Sequence, residues 1–149
     1  MPTDYIRPGN LSRLLAKHLD TRFVLMHTGY PYGEEVIALA KHYRNVCADL
    51  CWAWSINPLA TMNFVRSYLH AAPINKLFAF GGDTGWPTNS YAYCVQARQW
   101  LKRCLQTEID EGHMMETQSI TIADKILREN QLAVFDVQGK RKYLALTVQ

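Results

Sequence analysis

The sequence predicts an α/β fold made of three parallel strand–helix units, and three observations carry that expectation. Short apolar runs recur at Phe23–His27 (FVLMH), Val46–Leu50 (VCADL) and Leu77–Phe80 (LFAF). The first is nearly continuous in apolar character, as expected of a strand covered on both faces. Each run gives way to a loop and then to a stretch with helical spacing. Right-handed crossovers between such units place all three strands parallel in one sheet.

Taken in order, Met1 to Asn10 reads as a loop, broken by Pro2, Pro8 and Gly9. A helix is expected from Asn10 or Ser12, either of which can cap it, to about Leu19, with Leu11, Leu14, Leu15 and His18 on one face. Thr21 to His27 is the first strand, followed at once by a turn rich in Gly and Pro. From Gly33 to Tyr43 the pattern is helical. Glu34 and Glu35 sit in the first turn, where the helix dipole favours negative charge. The second strand, Val46 to Leu50, runs into CWAWSINP, an aromatic segment expected to be mobile. Asn57 caps the next helix with Pro58 at its first position, and Leu59, Met62, Val65 and Leu69 form its buried face up to Ala72-Pro73. After the third strand and the loop GGDTGWPTNS, the longest helix spans about Ser90 to Glu111, with Cys94, Ala97, Leu101, Cys104 and Leu105 inward. Gly112 stops it. A last helix covers about Gln118 to Asn130, capped by Thr117 or Ser119 and burying Ile120, Ala123, Ile126 and Leu127. The whole chain, 1–149, reads as one domain, with 136–149 a flexible tail, a hairpin or a continuation of helix.

Composition excludes several functions. Net charge is +3, and the positive residues are scattered, unlike the clustered footprint of a nucleic-acid binder. No apolar run approaches the ~20 residues of a membrane span, and the first ten residues lack the apolar core of a secretory signal. A cytoplasmic protein is expected. Cys47, Cys51, Cys94 and Cys104 contain no CxxC pair and read as buried thiols rather than a structural zinc site. GGDTG departs from the phosphate-binding G-x-x-x-x-G-K-[ST] pattern, and no G-x-S-x-G is present.

His27 and Asp83 each stand where an apolar strand stops, the place where α/β sheets and barrels carry chemistry. Alone, His27 could cap a turn and Asp83 a helix; together they suggest a polar site at one sheet rim. Asp49, near the end of the second strand, needs a partner there and supports the rim. Trp52, Trp54 and Trp86 follow strands and are candidates for the walls of a substrate pocket, with packing as the alternative.

The motifs H-x-x-Y-P (His27 to Pro31), N-V-x-x-D (Asn45 to Asp49) and G-x-D (Gly81 to Asp83) resemble the carboxyl-terminal part of the metal-dependent amidohydrolase superfamily. The likeness is greatest to the amidohydrolase-related branch that includes domains fused to glutamine-synthetase-like modules, and runs from about Asn10 to Phe135. It implies a partial (β/α)8 TIM barrel, with the three runs as sixth, seventh and eighth strands plus a closing helix. It also implies a divalent metal, zinc above all, at the carboxyl rim. Asp83 would bind that metal and steer or deprotonate water; His27 would be a metal ligand or acid/base. The family's first-strand H-x-H and its fourth- and fifth-strand ligands have no counterpart, and His18, His42, His70 and His113 fall outside family positions. One or two ligands remain where a catalytic zinc takes three. The expected function is therefore a segment of a metal-dependent hydrolase for a small organic acid or amide, incomplete alone, as in a truncated gene product. The alternative is a non-catalytic module. Three parallel strands leave two open edges, so a homo-oligomer or a complementing chain is the expected partner.

Overall fold

One buried strand lies at the centre of the molecule. In the computed structural model, which describes residues 2–147, β1 (Phe23–Leu25), β2 (Val46–Asp49) and β3 (Leu77–Phe78) form a parallel sheet in the order β1-β2-β3. Phe23 faces Val46 and Leu25 faces Ala48; Ala48 also faces Leu77, and Asp49 faces Phe78. With a neighbour on each edge, β2 buries Val46, Cys47 and Ala48 fully, hence its lack of polar alternation. The strands are shorter than the apolar runs. The run from Thr21 to His27 yields only three paired residues because the backbone turns left-handed at His27.

The helices follow the expected order, with instructive departures. Two 3₁₀ turns, Thr3–Ile6 and Pro8–Leu11, precede α1 (Ser12–Lys17). Neither expected cap acts there: Asn10 Nδ2 donates to the Asp4 carbonyl at 2.7 Å and Ser12 Oγ to the Gly9 carbonyl at 2.6 Å. Buried Asn45 ties α1 to the sheet, its Nδ2 donating to the Leu15, His18 and Thr21 carbonyls. In α2 (Gly33–His42), Val36, Ile37, Leu39 and Ala40 are buried. Lys76 Nζ closes its end by donating to the Ala40 and Tyr43 carbonyls. At α4 (Pro58–Ala71), Asn57 Oδ1 accepts the Ala60 N–H at 3.0 Å, the expected cap. Leu59, expected inward, is instead 65% exposed, while Phe64, Val65 and Tyr68 carry the packing.

The segment expected to be a mobile aromatic loop contains a helical turn, α3 (Ala53–Ile56). Trp54 drives this correction. It is 1% exposed, and its Nε1–H donates to the Ala79 carbonyl at 3.0 Å, so the indole is part of the core. The long helix α5 (Pro87–Asp110) ends at Gly112. The Gly112 N–H bonds the Ile109 carbonyl at 2.9 Å and the His113 N–H bonds the Glu108 carbonyl at 2.9 Å. These are the two bonds of a Schellman motif, with Gly112 at φ 77°.

The final helix begins earlier than expected, as α6 (Glu116–Asp124), with Met115 as its N-cap and the Gln118 side chain accepting the Met115 N–H. Ile120 points outward at 57% exposure. A π-turn, Lys125–Glu129, joins α6 to α7 (Asn130–Val134). The segment for which a flexible tail, a hairpin or a continuation of helix is expected forms a helix, α8 (Val137–Thr147), with Gly139 inside it. Residues 148 and 149 of that expected tail lie outside the described residues.

The C-terminal helix corrects the expectation of two open edges. On the outer edge of β3, the Ala79 N–H donates to the Ile126 carbonyl at 2.8 Å, within the π-turn. Asn130, 5% exposed, donates from Nδ2 to the Leu77 carbonyl at 2.9 Å and the Ile74 carbonyl at 2.8 Å. Helix backbone and an asparagine amide thus stand in for a neighbouring strand. On the face away from α2, α4 and α5, Phe78 is fully buried and meets Phe135 at 5.5 Å between ring centroids. Among the described residues, β1 is the outer strand left without a neighbour of this kind, and its three residues are half-buried. Asn130→Ala is expected to lower unfolding free energy by about 1–3 kcal/mol, since the buried Leu77 carbonyl loses its donor. Urea denaturation measures this, with an unchanged midpoint excluding the edge role.

Candidate functional site

The loops that leave the carboxyl ends of the three strands share an unusual backbone. His27, Thr28, Trp52 and Asp83 have φ of 59°, 58°, 57° and 43°, four of the five non-glycine residues with positive φ among those described. Each such residue costs on the order of 1–3 kcal/mol and persists only where its surroundings over-determine it. Here they do. The turn after β1 swings His27 over the end of β2, where Nδ1–H donates to the Cys51 carbonyl at 2.7 Å. A carbonyl only accepts, so Nδ1 carries a proton; when the ring is neutral, Nε2 presents a lone pair. That Nε2 lies 3.6 Å from Asp83 Oδ2.

The loop after β3 reaches this point by passing close under Cys51. The Trp52 N–H bonds the Gly81 carbonyl at 2.9 Å. A Cβ at Gly81 would stand 2.6 Å from Cys51 Sγ, so only glycine fits. Asp49 completes the scaffold, its Oδ1 accepting the Cys51 N–H at 2.7 Å. Asp49 thus holds the peptide whose neighbouring carbonyl orients His27. Trp52 stands edge-on to the His27 ring, with centroids 6.0 Å apart.

Burial raises the Asp49 carboxyl from 3.8 to about 6, against the opposing pull of the Cys51 N–H and of His27. Burial also pushes the Cys51 thiol up to about 11, and the carboxylates of Asp49 and Asp83 add to this. Cys51 therefore stays a neutral thiol at neutral pH and is no nucleophile.

Three of the sequence-derived candidates, His27, Asp49 and Asp83, converge at one rim, with Trp52 beside them. Asp83 does not cap a helix, since α5 starts at Pro87 after Trp86. Trp86, three positions beyond Asp83, is 71% exposed, and Trp54 is part of the core. A cleft of about 550 Å³ lined by Asp4, Arg7, Gly9 and Glu35 includes none of the three rim groups. One cluster escaped the sequence reading. Ligand atoms of His70, Glu108 and His113 lie within 4.8 Å of one another. The helix stop at Gly112 was the available signal, because a Schellman turn folds the next residue back over the helix.

Because the folded-state pKa of Asp49 is raised, the folded form binds more protons than the unfolded form between about pH 4 and 6. Its contribution is full below 3.8 and is lost as pH rises through about 6. Relative to Asp49→Asn, the wild type is expected to lose on the order of 2 kcal/mol between pH 4 and 7. Denaturant melts of both proteins across that range measure the difference; parallel pH profiles would remove the assignment.

The rim geometry can be set beside known proteins. The family model described as Amidohydrolase matches residues 1–137. A curated relative, protein fluG of Emericella nidulans, is 27% identical over 141 residues, covering 94% of this chain and 16% of that protein. The chain thus spans about one-sixth of the length of the relative it matches. Members of the family typically use a divalent metal and act on small molecules. Among the described residues no helix is long and apolar enough to cross a membrane. With residues 1–137 of its 149 matched by the family model, and three parallel strands ending in a shared polar rim, this chain belongs to the amidohydrolase family.

Proposed function

We propose that this chain supplies the last strand ends of a metal-assisted hydrolase site for a small organic acid or amide, with His27 and Asp83 holding the ion. The observation that carries the proposal is the 3.6 Å approach of His27 Nε2 to Asp83 Oδ2. With Nδ1–H already given to the Cys51 carbonyl, the neutral ring turns its Nε2 lone pair toward the Asp83 carboxylate, an arrangement that a cation between them satisfies. Zinc bonds of ~2.0–2.2 Å to nitrogen and oxygen hold two such ligand atoms ~3.3 Å apart, so the pair fits an ion with little movement. One imidazole with one carboxylate is also a donor set that zinc accepts.

A divalent ion at this position would acidify water and offset charge developing on the reacting oxygen. The remaining work falls to the chain itself. Asp83, half-exposed, directs the attacking water with its second oxygen and takes its proton. His27 keeps one orientation because its Nδ1–H is fixed. Asp49 acts through Cys51 and is a positioning residue. Trp52 and Trp86 offer apolar walls to a small substrate.

A catalytic zinc takes three protein ligands, so the two here need complementing. The β1 edge is the side on which a further strand can add, because Asn130 and Ile126 occupy the edge of β3. Met26 and Tyr30, at the end of β1 and just beyond it, are 48% and 54% exposed. A complementing chain or second copy is accordingly proposed to join there.

The test is nuclear magnetic resonance with paramagnetic Mn²⁺. Broadening is expected at the amides of His27, Thr28, Trp52 and Asp83, and its loss in both Asp83→Ala and His27→Ala. Undiminished rim broadening in the two variants would remove His27 and Asp83 from the site.

A further inference from the structure

The His70, Glu108 and His113 cluster lies at the opposite end of the helices from the rim. Helices α4 and α5 both leave the carboxyl ends of strands and descend side by side. Ser55 Oγ donates to Gln96 Oε1 at 2.9 Å near the top, and Cys104 Sγ reaches the Met62 carbonyl at 3.8 Å lower down. Glu108 stands level with Arg66 and His70 at the bottom. From Pro58 to His70 the helix rise is ~18 Å. The cluster therefore shares no ligand with the rim, and its reading does not depend on the function proposed above.

Its parts are held in different ways. Glu108 is fully buried yet charged, its Oε1 taken by Arg66 Nε and its Oε2 turned toward the two histidines. His70 Nε2 lies 2.6 Å from Oε2, and His113 Nδ1 lies 3.4 Å from the same oxygen. The imidazole rings stand edge to face at 5.3 Å. Arg66 also binds Glu111, so two carboxylates face one guanidinium, leaving a net negative charge when both histidines are neutral. The Schellman turn at Gly112 fixes His113 in this place by bonding its own N–H to the Glu108 carbonyl.

We propose that His70, Glu108 and His113 bind a divalent transition-metal ion at the far end of the domain from the rim. Two imidazole nitrogens and one carboxylate oxygen form the three-ligand set that zinc accepts with a fourth, open position. The 3.4 Å pair already has the spacing of two ligands on one ion. The 2.6 Å pair is a hydrogen bond from His70 Nε2–H to the carboxylate, so the ion displaces that proton to solvent and the pair opens by ~0.7 Å to the ~3.3 Å of a tetrahedral site. His70 and His113 have side chains 52% and 46% exposed, so they can make this adjustment while the buried carboxylate stays fixed. Arg66 then serves as the partner that orients a ligating carboxylate. Bound metal would clasp the end of α5 to the end of α4.

The parent protein for the test is the full chain carrying His27→Ala and Asp83→Ala, which removes the rim donors. Zinc calorimetry is expected to find one ion bound. In the proton spectrum, the ring signals of His70 and His113 shift together while those of His18 and His42 stay still. Adding His70→Ala or His113→Ala should weaken binding by at least ~10-fold and abolish the paired shift. Both histidines lie at the surface, and circular dichroism checks that each variant is folded. Failure of the parent to take up zinc at ~1 mM, or affinities within ~2-fold of the parent in both variants, overturns the site. Loss of Mn²⁺ broadening at the rim of the unaltered chain bears only on the hydrolase reading.

Discussion

A parallel sheet of three strands must find partners for the backbone groups on its outermost edges, and the rest of this molecule depends on how that demand is met. On β3 the answer comes from more than forty residues downstream, where the Ile126 carbonyl and the Asn130 amide take the positions a fourth strand would occupy. Each is a hydrogen bond that, left unmade in the interior, would cost more than its formation returns. With that edge closed and Phe135 laid against Phe78, the C-terminal helix is part of the sheet's support and not an appendage to it. Arg22 adds a link from the start of β1, its Nη1 donating to the Val134 carbonyl at 2.6 Å.

The closed edge gives the domain a direction. Loops at one end carry the imidazole and carboxylate of the rim, on backbone that only a firm scaffold could hold left-handed. Gly81 allows the β3 loop to pass beneath Cys51, and Asp49 fixes the peptide on which His27 leans. The opposite end gathers charge instead, with Arg66, Glu108 and Glu111 meeting between α4 and α5. Two long helices running together from the one end to the other hold these groups apart.

Local rules made much of this legible. Apolar runs identify the three strands, Asn57-Pro58 opens α4, and Gly112 ends α5, because a strand core, a helix start and a helix stop each use chemistry contained in a few adjacent residues. Tertiary contacts hid the rest. Trp54 follows a strand like Trp52 does, yet the Ala79 carbonyl, just past β3, holds one indole inward while the other stays 41% exposed. Leu59 and Ile120 obey helical spacing yet stay 65% and 57% exposed. The left-handed turns at His27, Thr28, Trp52 and Asp83 use residues that give no warning of positive φ. His70 and Glu108 are 38 positions apart, and only the pairing of two helices brings them together.

The π-turn at Lys125–Glu129 amounts to one surplus residue wound into an otherwise regular helix. Its presence turns the downstream part by about 100° relative to an uninterrupted α-helix. That angle is what aims the Asn130 amide at Leu77 instead of toward solvent. The helix therefore works as an indexed shaft: excising a single position would leave every amino acid downstream intact yet set each of them facing the wrong way.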